Sequence, residues 1–330
     1  VALVTPFNFP VEIVCLQLLG ALMAGNKVLV KPDARVGAVA EALVRLLVEA
    51  GMPADAVLLV HNNGEETERL LTDAASTLRS TLFTGSHRVA TRLCALLEGR
   101  VRLEDAGFNW KLLGPDVAEV EYVAAQIDQD SYAASGQKCS AQRLLLVHEN
   151  WKDSPLLELV RRRAASRSFA QRTLSPVLTW DNARLTQHLQ QLLRIPGARL
   201  LWGGSPAAEP TAVPPQYGTF APTAVHVPLR AFADAEAFAL LTTEVFGPLL
   251  LVSDYAEAEL DTVLGLFERM SFHLTAGVVS RDIAFINKVL GSTVNGVTYA
   301  GIRARTTGAP QNHWFGPGND PRGAGIGTVE

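Results

Sequence analysis

The sequence has few cysteines and no long uncharged apolar run. Only three of its 330 residues are cysteine, namely Cys15, Cys94 and Cys139, and no two of them form a C-x-x-C pair. This leaves neither a disulfide framework nor a cysteine-rich zinc site, and a reducing compartment is the simplest interpretation. The most apolar stretches, Val11 to Ala24 and Val36 to Ala50, are too short or too charged to reach the ~20 apolar residues of a membrane span.

An excess of charge of one sign is also lacking. The chain carries 29 basic and 33 acidic residues, for a formal net charge of −4, and 48% of its residues are hydrophobic. This composition argues against a nucleic-acid-binding protein and against a polybasic membrane-surface protein, both of which need a concentrated basic surface. At roughly 100 to 200 residues per domain, the length predicts two domains or one large one.

Two other features are missing, namely a leading methionine and the common glycine patterns for phosphate. The chain opens on the apolar run Val1 to Val4, which predicts a strand, and we expect the natural amino terminus and any targeting segment to lie upstream of it. Neither G-x-G-x-x-G nor a P-loop occurs in the sequence. Phosphate binding must therefore rest on weaker signals.

Up to residue 104, short apolar runs alternate with amphipathic stretches. The runs predict buried strands, and apolar residues at three- and four-residue spacing between them predict helices. The predicted strands are Val1 to Val4, Lys27 to Val30, Ala56 to Val60, Ser80 to Phe83 and Val101 to Leu103, and the predicted helices are Val11 to Ala24, Val36 to Ala50, Glu65 to Ala74 and His87 to Leu97. This alternation indicates a parallel sheet covered on both faces, where nucleotide cofactors commonly bind.

After Leu103 the pattern changes and then returns to alternation, which predicts a second α/β unit. The predicted helices are Val117 to Tyr132, Trp151 to Arg163, Glu257 to Phe267 and Asp282 to Leu290, and the predicted strands are Arg143 to His148, Leu249 to Val252, Thr275 to Val279 and Thr293 to Val297. The Pro-rich segment Pro206 to Pro222 predicts a surface loop. The tail from Gly301 to Gly327 has little periodicity and predicts a long ordered loop.

Two residues are candidates for nucleophile and base. Cys139 lies between a helical pattern and a strand in Ser135-Gly136-Gln137-Lys138-Cys139-Ser140. An exposed loop with a neighbouring cation favours a reactive thiolate there, whereas a small buried hydrophobic residue is the alternative. Glu104 ends an apolar run shortly before Gly107, which suits a general base, and an ordinary helix or loop cap is the alternative.

Three weaker signals lie at the ends of predicted strands. Phe83-Thr84-Gly85-Ser86 closes a strand and opens a helix, so that its N–H groups and the Ser86 hydroxyl are suited to a phosphate or simply to an N-cap. The Asn8 amide follows a strand, where it either faces a developing oxyanion or completes a turn. Lys31 lies at the predicted carboxyl edge of the sheet, where ligands bind and where surface lysines are also common.

Taken in order, these segments resemble the motif set of the aldehyde dehydrogenase superfamily. The matching segments are Thr5-Pro6-Phe7-Asn8-Phe9-Pro10, Lys31-Pro32, Phe83-Thr84-Gly85-Ser86, Glu104, Gly136-Gln137-Lys138-Cys139 and Glu244-Val245-Phe246-Gly247-Pro248. The resemblance covers essentially all 330 residues. Glu104-Asp105-Ala106-Gly107, in place of the usual Glu-Leu-Gly-Gly, and the tail Ala300 to Gly327 are similar to the plant and protist branch of Δ1-pyrroline-5-carboxylate dehydrogenases.

The resemblance implies an aldehyde dehydrogenase-like α/β fold, with an incomplete Rossmann-like NAD-binding domain and an α/β catalytic domain. The implied boundaries are 1–106 for the NAD-binding domain without its N-terminal part, 107–308 for the catalytic domain, and 309–330 for a C-terminal segment that returns toward the NAD-binding domain. Relatives also carry a C-terminal oligomerisation strand, so we expect the complete protein to be a homo-oligomer. A mitochondrial location is likewise implied.

The implied activity is the NAD-dependent oxidation of L-glutamate γ-semialdehyde to L-glutamate in proline catabolism. Oxidation of another small aldehyde, an esterase or acylating activity of the same cysteine, and an inactive truncated fragment are the alternatives. NAD-preferring relatives often carry a glutamate after Lys-Pro-Ser, whereas this chain has Asp33-Ala34, so the choice between NAD and NADP stays open. No metal is implied, and the expected partner is a small-molecule aldehyde, not nucleic acid or membrane.

The resemblance also implies roles for individual residues. Cys139 is the nucleophile, Glu104 activates the hydrolytic water, and Asn8 forms the oxyanion hole with the backbone N–H of Cys139. The implied cofactor contacts are Lys31 and Glu244 at the ribose, Ser86 at the pyrophosphate, Phe246 beside the nicotinamide, and Phe7. From the charge of the substrate we expect its α-amino acid carboxylate to be bound by Lys138 and by Gly308 and Ala309 in the loop that follows Thr307.

Overall fold

The computed structural model describes residues 1–105, 107–209 and 211–307. The described residues form two compact units, 1–105 and 107–307 without residue 210. Most of the tail predicted as an ordered loop, and the whole segment 309–330 predicted to return toward the cofactor domain, lie outside the described residues. Each unit has its own sheet and is described by itself.

The first unit is a five-stranded parallel sheet with helices between the strands. Its elements are β1 (Ala2–Thr5), α1 (Glu12–Met23), β2 (Val28–Pro32), α2 (Gly37–Glu49), β3 (Val57–Leu59), α3 (Gly64–Asp73), β4 (Thr81–Thr84), α4 (His87–Leu96) and β5 (Val101–Glu104). The strand order is β3-β2-β1-β4-β5, and every pair is parallel. This order is that of a doubly wound nucleotide-binding sheet, in which ligands bind beyond the carboxyl ends of the strands.

Both faces of this sheet are covered by apolar side chains. Ala2 and Leu3 are consecutive on β1 and therefore point to opposite faces. Ala2 belongs to a cluster with residues of α3 and α4, and Leu3 belongs to a cluster with residues of α1 and α2. The register sets Thr5 beside Pro32 and Thr84 beside Glu104. The carboxyl ends of β1, β2, β4 and β5 consequently form one edge.

The second unit is a seven-stranded sheet, also covered by helices. Its elements are β6 (Asn109–Leu113), α5 (Val120–Tyr132), β7 (Gln142–His148), α6 (Leu156–Ala165), α7 (Asn182–Leu193), β8 (Arg199–Trp202), β9 (Thr223–His226), α8 (Ala235–Leu241), β10 (Leu249–Tyr255), α9 (Leu260–Glu268), β11 (Thr275–Val279), α10 (Ile283–Gly291) and β12 (Val297–Ala300). The order is β12-β11-β6-β7-β10-β9-β8. All neighbours are parallel except β8 and β9. Every residue of β6, β7 and β11 is buried, so the centre of this sheet is the core of the unit.

Several elements of the second unit differ from the sequence prediction. The strands β6, β8 and β9 and the helices α7 and α8 were not predicted, and the strand expected at Thr293 to Val297 is instead Val297–Ala300. The helix expected from Trp151 begins only at Leu156, because Pro155 occupies its N-cap position and Glu149–Trp151 forms a separate 3₁₀ turn. Among the described helices, none combines the length and apolar character that a bilayer crossing needs.

Candidate active site

Cys139 lies in the turn that joins α5 to β7. Just before it, Ala134, Ser135 and Gly136 have left-handed φ values of 54°, 52° and 68°. Left-handed backbone at two non-glycine residues costs free energy and persists only where neighbouring contacts hold it. The Ser135 hydroxyl donates to the carbonyl of Ser175 and accepts from its N–H, both at 2.8 Å. We call residues 133–140 the cysteine loop.

The structure buries Cys139, whose exposed fraction is 9%. The exposed loop expected from the sequence is therefore wrong, because β6 and the segment before it cover the cysteine backbone. The Asn109 side chain donates to the carbonyls of Cys139 at 2.7 Å and Ala141 at 2.8 Å. A Cβ atom at Gly107 would lie 2.0 Å from the Cys139 carbonyl oxygen, so only glycine fits there.

A second segment, Glu244 to Gly247, contacts the cysteine loop directly. The Gly107 N–H donates to the Glu244 carboxylate at 3.0 Å. A Cβ atom at Gly136 would lie 2.3 Å from the Gly247 carbonyl oxygen, so the two backbones meet without an intervening side chain. The candidate nucleophile and the candidate cofactor residues Glu244 and Phe246 thus belong to two adjoining segments of one unit.

Two buried cations adjoin Cys139. Burial lowers the pKa of Lys138 to about 8, the negative charges of Asp130 and Cys139 oppose that shift, and Arg143 adds to it. The Lys138 ammonium donates to the Gln129 carbonyl at 3.0 Å. Burial likewise lowers the pKa of Arg143 to about 10, against the opposing charges of Glu244 and Cys139. Both cations are electrostatically coupled to the cysteine.

A buried ion pair lies beside the cysteine loop. The Asp130 carboxylate accepts from the Lys111 ammonium at 2.8 Å, from the Thr306 N–H at 2.9 Å and from the Thr307 hydroxyl at 2.7 Å. Both charged side chains are completely buried. The pair anchors the chain up to Thr307, whereas the predicted substrate residues Gly308 and Ala309 lie outside the described residues.

The first unit brings its candidate residues to the carboxyl edge of its sheet. Phe7 and Asn8 lie in a bend directly after β1, Lys31 lies near the end of β2, Ser86 precedes α4, and Glu104 ends β5. The Glu104 side chain is buried, with 2% exposed. Burial lowers the pKa of Lys31, against the opposing charge of Asp33.

Ser86 occupies the N-cap position of α4, but its hydroxyl makes no capping hydrogen bond. Capping alone therefore does not explain why a serine stands at this exposed position. At the same edge the buried Thr5 hydroxyl has no hydrogen-bond partner among the described residues. Both polar groups are available to a ligand at the positive end of α4 and the adjacent strand end.

Sequence reasoning missed four polar residues that organise the second unit, namely Asn109, Lys111, Asp130 and Arg143. Lys111 stands inside the buried strand Asn109–Leu113, and Arg143 stands directly before the apolar run from Leu144. A charged residue within or beside an apolar run is the signal that was present, because such a residue stays buried only when it is paired.

In the part of the chain that the structure describes, no group of three or more His, Cys, Asp or Glu residues is arranged to hold a metal.

Comparisons with known proteins give a consistent result. The sequence profile described as "Aldehyde dehydrogenase family" matches residues 1–319. The chain is 52% identical over 331 residues to delta-1-pyrroline-5-carboxylate dehydrogenase 12A1, mitochondrial, from Arabidopsis thaliana, with 100% of this chain and 59% of that protein aligned. It is 31% identical over 314 residues to the bifunctional protein PutA of Escherichia coli K12, with 91% of this chain and 23% of that protein aligned.

Solved structures agree with these matches. A crystal structure of bifunctional proline utilization A superposes with a TM-score of 0.81 at 29% identity, covering 97% of this chain and 31% of that one. An NAD-dependent aldehyde dehydrogenase from Sinorhizobium meliloti superposes with a TM-score of 0.80 at 23% identity, covering 96% of this chain and 61% of that one, which bears on the fold alone. The chain spans 59% of the length of the Arabidopsis relative.

Proposed function

The chain belongs to the aldehyde dehydrogenase family, and we propose that it carries the chemistry of an NAD-dependent L-glutamate γ-semialdehyde dehydrogenase of proline catabolism. The observation that carries this proposal is the buried Cys139 in a loop that packs against the Glu244 to Gly247 segment, where the charges of Lys138 and Arg143 act on it. The similarity to the Arabidopsis enzyme and to PutA supports the choice of substrate. A mitochondrial location and a homo-oligomer are proposed from the same resemblance.

A nicotinamide cofactor fits the polar groups of the first unit. The Ser86 hydroxyl is not used for capping and the Thr5 hydroxyl is buried without a partner among the described residues, both at the edge where a parallel sheet binds nucleotides. The family resemblance assigns cofactor contacts to Lys31, Ser86 and Phe7 of this unit, and to Glu244 and Phe246 of the second unit. A nicotinamide bound there would supply the acceptor for the hydride that leaves the aldehyde carbon.

The preference for NAD over NADP is proposed from Asp33, directly after β2. Burial by itself would raise the pKa of this carboxyl, but hydrogen bonds from the Arg35 side chain and backbone outweigh it and keep the pKa below its usual range. The Arg35 Nε and Nη2 donate to Asp33 at 2.8 and 2.7 Å. An acidic residue at this position accepts a hydrogen bond from the ribose 2′-hydroxyl in nucleotide-binding sheets of this kind.

In the proposed mechanism the Cys139 thiolate attacks the aldehyde carbon and forms a thiohemiacetal. Asn8 and the Cys139 backbone N–H stabilise the resulting oxyanion, and one such donor is typically worth about 2.7 to 4 kcal/mol. Loss of hydride from that carbon leaves a thioester on Cys139. Glu104 then takes a proton from the water that attacks the thioester, the C–S bond breaks with the Cys139 thiolate as the leaving group, and the carboxylic acid is released.

If Cys139 is the nucleophile, it should react with an alkylating reagent faster than the two more exposed cysteines. Cys15 and Cys94 are partly exposed on α1 and α4, whereas Cys139 is buried. By exposure alone, iodoacetamide would label Cys139 last. We expect it to label Cys139 first, because two neighbouring cations favour the thiolate. Mass spectrometry of briefly treated folded protein measures the order, and equal labelling of all three cysteines would contradict the proposal.

Lys138 is the proposed contact for the α-carboxylate of the substrate. Its ammonium gives one hydrogen bond to the Gln129 carbonyl, and an ammonium has three N–H donors. We expect Lys138→Met to raise KM for glutamate semialdehyde at least tenfold while changing the kinetics with propanal little. Steady-state assays of an active preparation measure both, with the exposed Lys152→Met as the control. An equal loss on both aldehydes would show that Lys138 serves the cysteine or the fold.

A further inference from the structure

Arg143 is a buried cation near the start of β7, with 2% of its surface exposed. Its Nη1 donates to the Gly247 carbonyl at 2.7 Å and its Nη2 donates to the Gly136 carbonyl. A buried guanidinium destabilises the fold unless its surroundings offset the loss of hydration. These two hydrogen bonds go to backbone carbonyls, one in the cysteine loop and one in the Glu244 to Gly247 segment. Arg143 therefore joins the two segments.

The two carbonyls that Arg143 binds belong to glycines at a close approach. The hypothetical Cβ of Gly136 would meet the Gly247 carbonyl oxygen and would also lie 3.0 Å from the Arg143 Nη1. Because no side chain fits between the segments, interlocking side chains do not hold them at this point. The planar fork of one guanidinium reaches both carbonyls at once, which a lysine ammonium does less well.

The charge of Arg143 acts on groups of both segments. It is coupled to Cys139 on one side and to Glu244 on the other. Its centre lies 5.8 Å from the centroid of the Phe246 ring. Its Nε is buried and has no hydrogen-bond partner among the described residues. The guanidinium therefore keeps one N–H without an acceptor among the described residues. Because its surroundings have a low dielectric constant, its positive charge acts strongly on a nearby thiolate.

We propose that Arg143 is a positioning residue for the Cys139 nucleophile, which holds the cysteine loop against the Glu244 to Gly247 segment and favours the thiolate with its charge. This inference rests on the proposed function, in which Cys139 is the nucleophile. It assigns a role beyond the residues implied by the family motifs. Arg143 need not touch the substrate, since it acts through a backbone carbonyl of each segment and through its charge on the Cys139 sulfur.

Other charged groups of the second unit face the same region and must be separated from Arg143. The charge of Lys138 also interacts with that of Cys139. Asp130, Arg143 and Arg167 in turn shift the pKa of Lys138. Glu244 adds a negative charge that opposes the effect of Arg143. Substituting Arg143 while leaving Lys138, Asp130, Arg167 and Glu244 in place isolates its contribution.

The test compares Arg143→Met, Arg143→Lys and the unchanged chain by the rate of Cys139 alkylation with iodoacetamide across pH. Arg143→Met removes both the charge and the fork, so we expect the alkylation midpoint to rise by about one pH unit or more. Arg143→Lys keeps the charge and loses the fork, so its midpoint should move less than half as far. Arg269→Met is the matched control, because Arg269 also donates to a carbonyl, that of Phe232, and lies over a phenyl ring, that of Phe238.

Amide hydrogen exchange tests whether Arg143 holds the cysteine loop against the Glu244 to Gly247 segment. We expect exchange in residues 133–140 and 244–247 to become at least tenfold faster in both Arg143 variants and to stay unchanged in Arg269→Met. An unchanged alkylation profile together with unchanged exchange in these segments would overturn the role of Arg143. If circular dichroism shows that Arg143→Met does not fold, the role of Arg143 is judged from the amide hydrogen exchange and the alkylation midpoint of Arg143→Lys. If the unchanged chain labels its three cysteines equally, the proposed function fails instead.

Discussion

Glu104→Gln is expected to produce a single burst of NADH and then almost no turnover. The amide cannot take a proton from water, so the thioester on Cys139 accumulates after one hydride transfer. General-base catalysis contributes typically 10²- to 10⁴-fold, and steady-state turnover should fall by about that factor while the burst approaches one NADH per active site. Rapid-mixing absorbance with NAD and aldehyde, in an active preparation of the protein, measures burst and steady state together.

The position of Glu104 supports this expectation. It ends β5 and is buried, and its neighbour Asp105 lies 2.7 Å from the His87 Nδ1. Asp105 is engaged by a histidine, and Asp105→Asn provides the matched control. Cys139→Ala should give neither burst nor turnover, because it removes the atom that forms the covalent intermediate. Steady turnover of Glu104→Gln within a few-fold of the unchanged enzyme would show that another group deacylates the enzyme.

The first unit could be predicted from the sequence almost element by element. Its strands are short and largely apolar and alternate with helices along the chain, so local pattern and tertiary structure agree. The family and the aldehyde dehydrogenase-like α/β fold are confirmed by the profile and the solved structures. The roles proposed for Cys139, Glu104 and Asn8 remain predictions.

The second unit was harder to predict because its central strand contradicts the local rules. β6 carries Asn109 and Lys111 in a fully buried segment, so its pattern does not suggest a core strand. What makes it one lies elsewhere in the chain: Asp130 binds Lys111, and the backbone of Cys139, Ala141 and Thr275 binds Asn109. These partners come together only in the folded unit, and a single sequence does not display them.

The same reason explains why Cys139 was expected to be exposed. Its small neighbours Ser135, Gly136 and Ser140 are typical of a surface turn, but here Gly136 allows the close approach of another backbone segment and the Ser135 hydroxyl binds the backbone of Ser175. Gly136 contacts Gly247, and Gly107 contacts Cys139 itself. Small residues near a nucleophile therefore indicate either an open loop or tight packing, and the difference depends on residues far away in the sequence.

Asp130→Ala is expected to lower the free energy of unfolding by about 3 to 5 kcal/mol, the usual cost of leaving one member of a buried ion pair without its partner. It leaves Lys111 buried and removes the acceptor for Thr306 and Thr307. Denaturant unfolding measures the loss.

The control for that prediction is Lys27→Met, which breaks an ion pair of similar length, Lys27 to Asp55 at 2.6 Å, whose side chains are 76% and 77% exposed. Exposed pairs contribute about 0 to 1 kcal/mol, so this control should change the unfolding free energy little. Lys111→Met in the Asp130→Ala background should recover part of the loss, because it removes the uncompensated ammonium from the core. A loss for Asp130→Ala no larger than that for Lys27→Met would contradict the buried pair as an anchor for the chain up to Thr307.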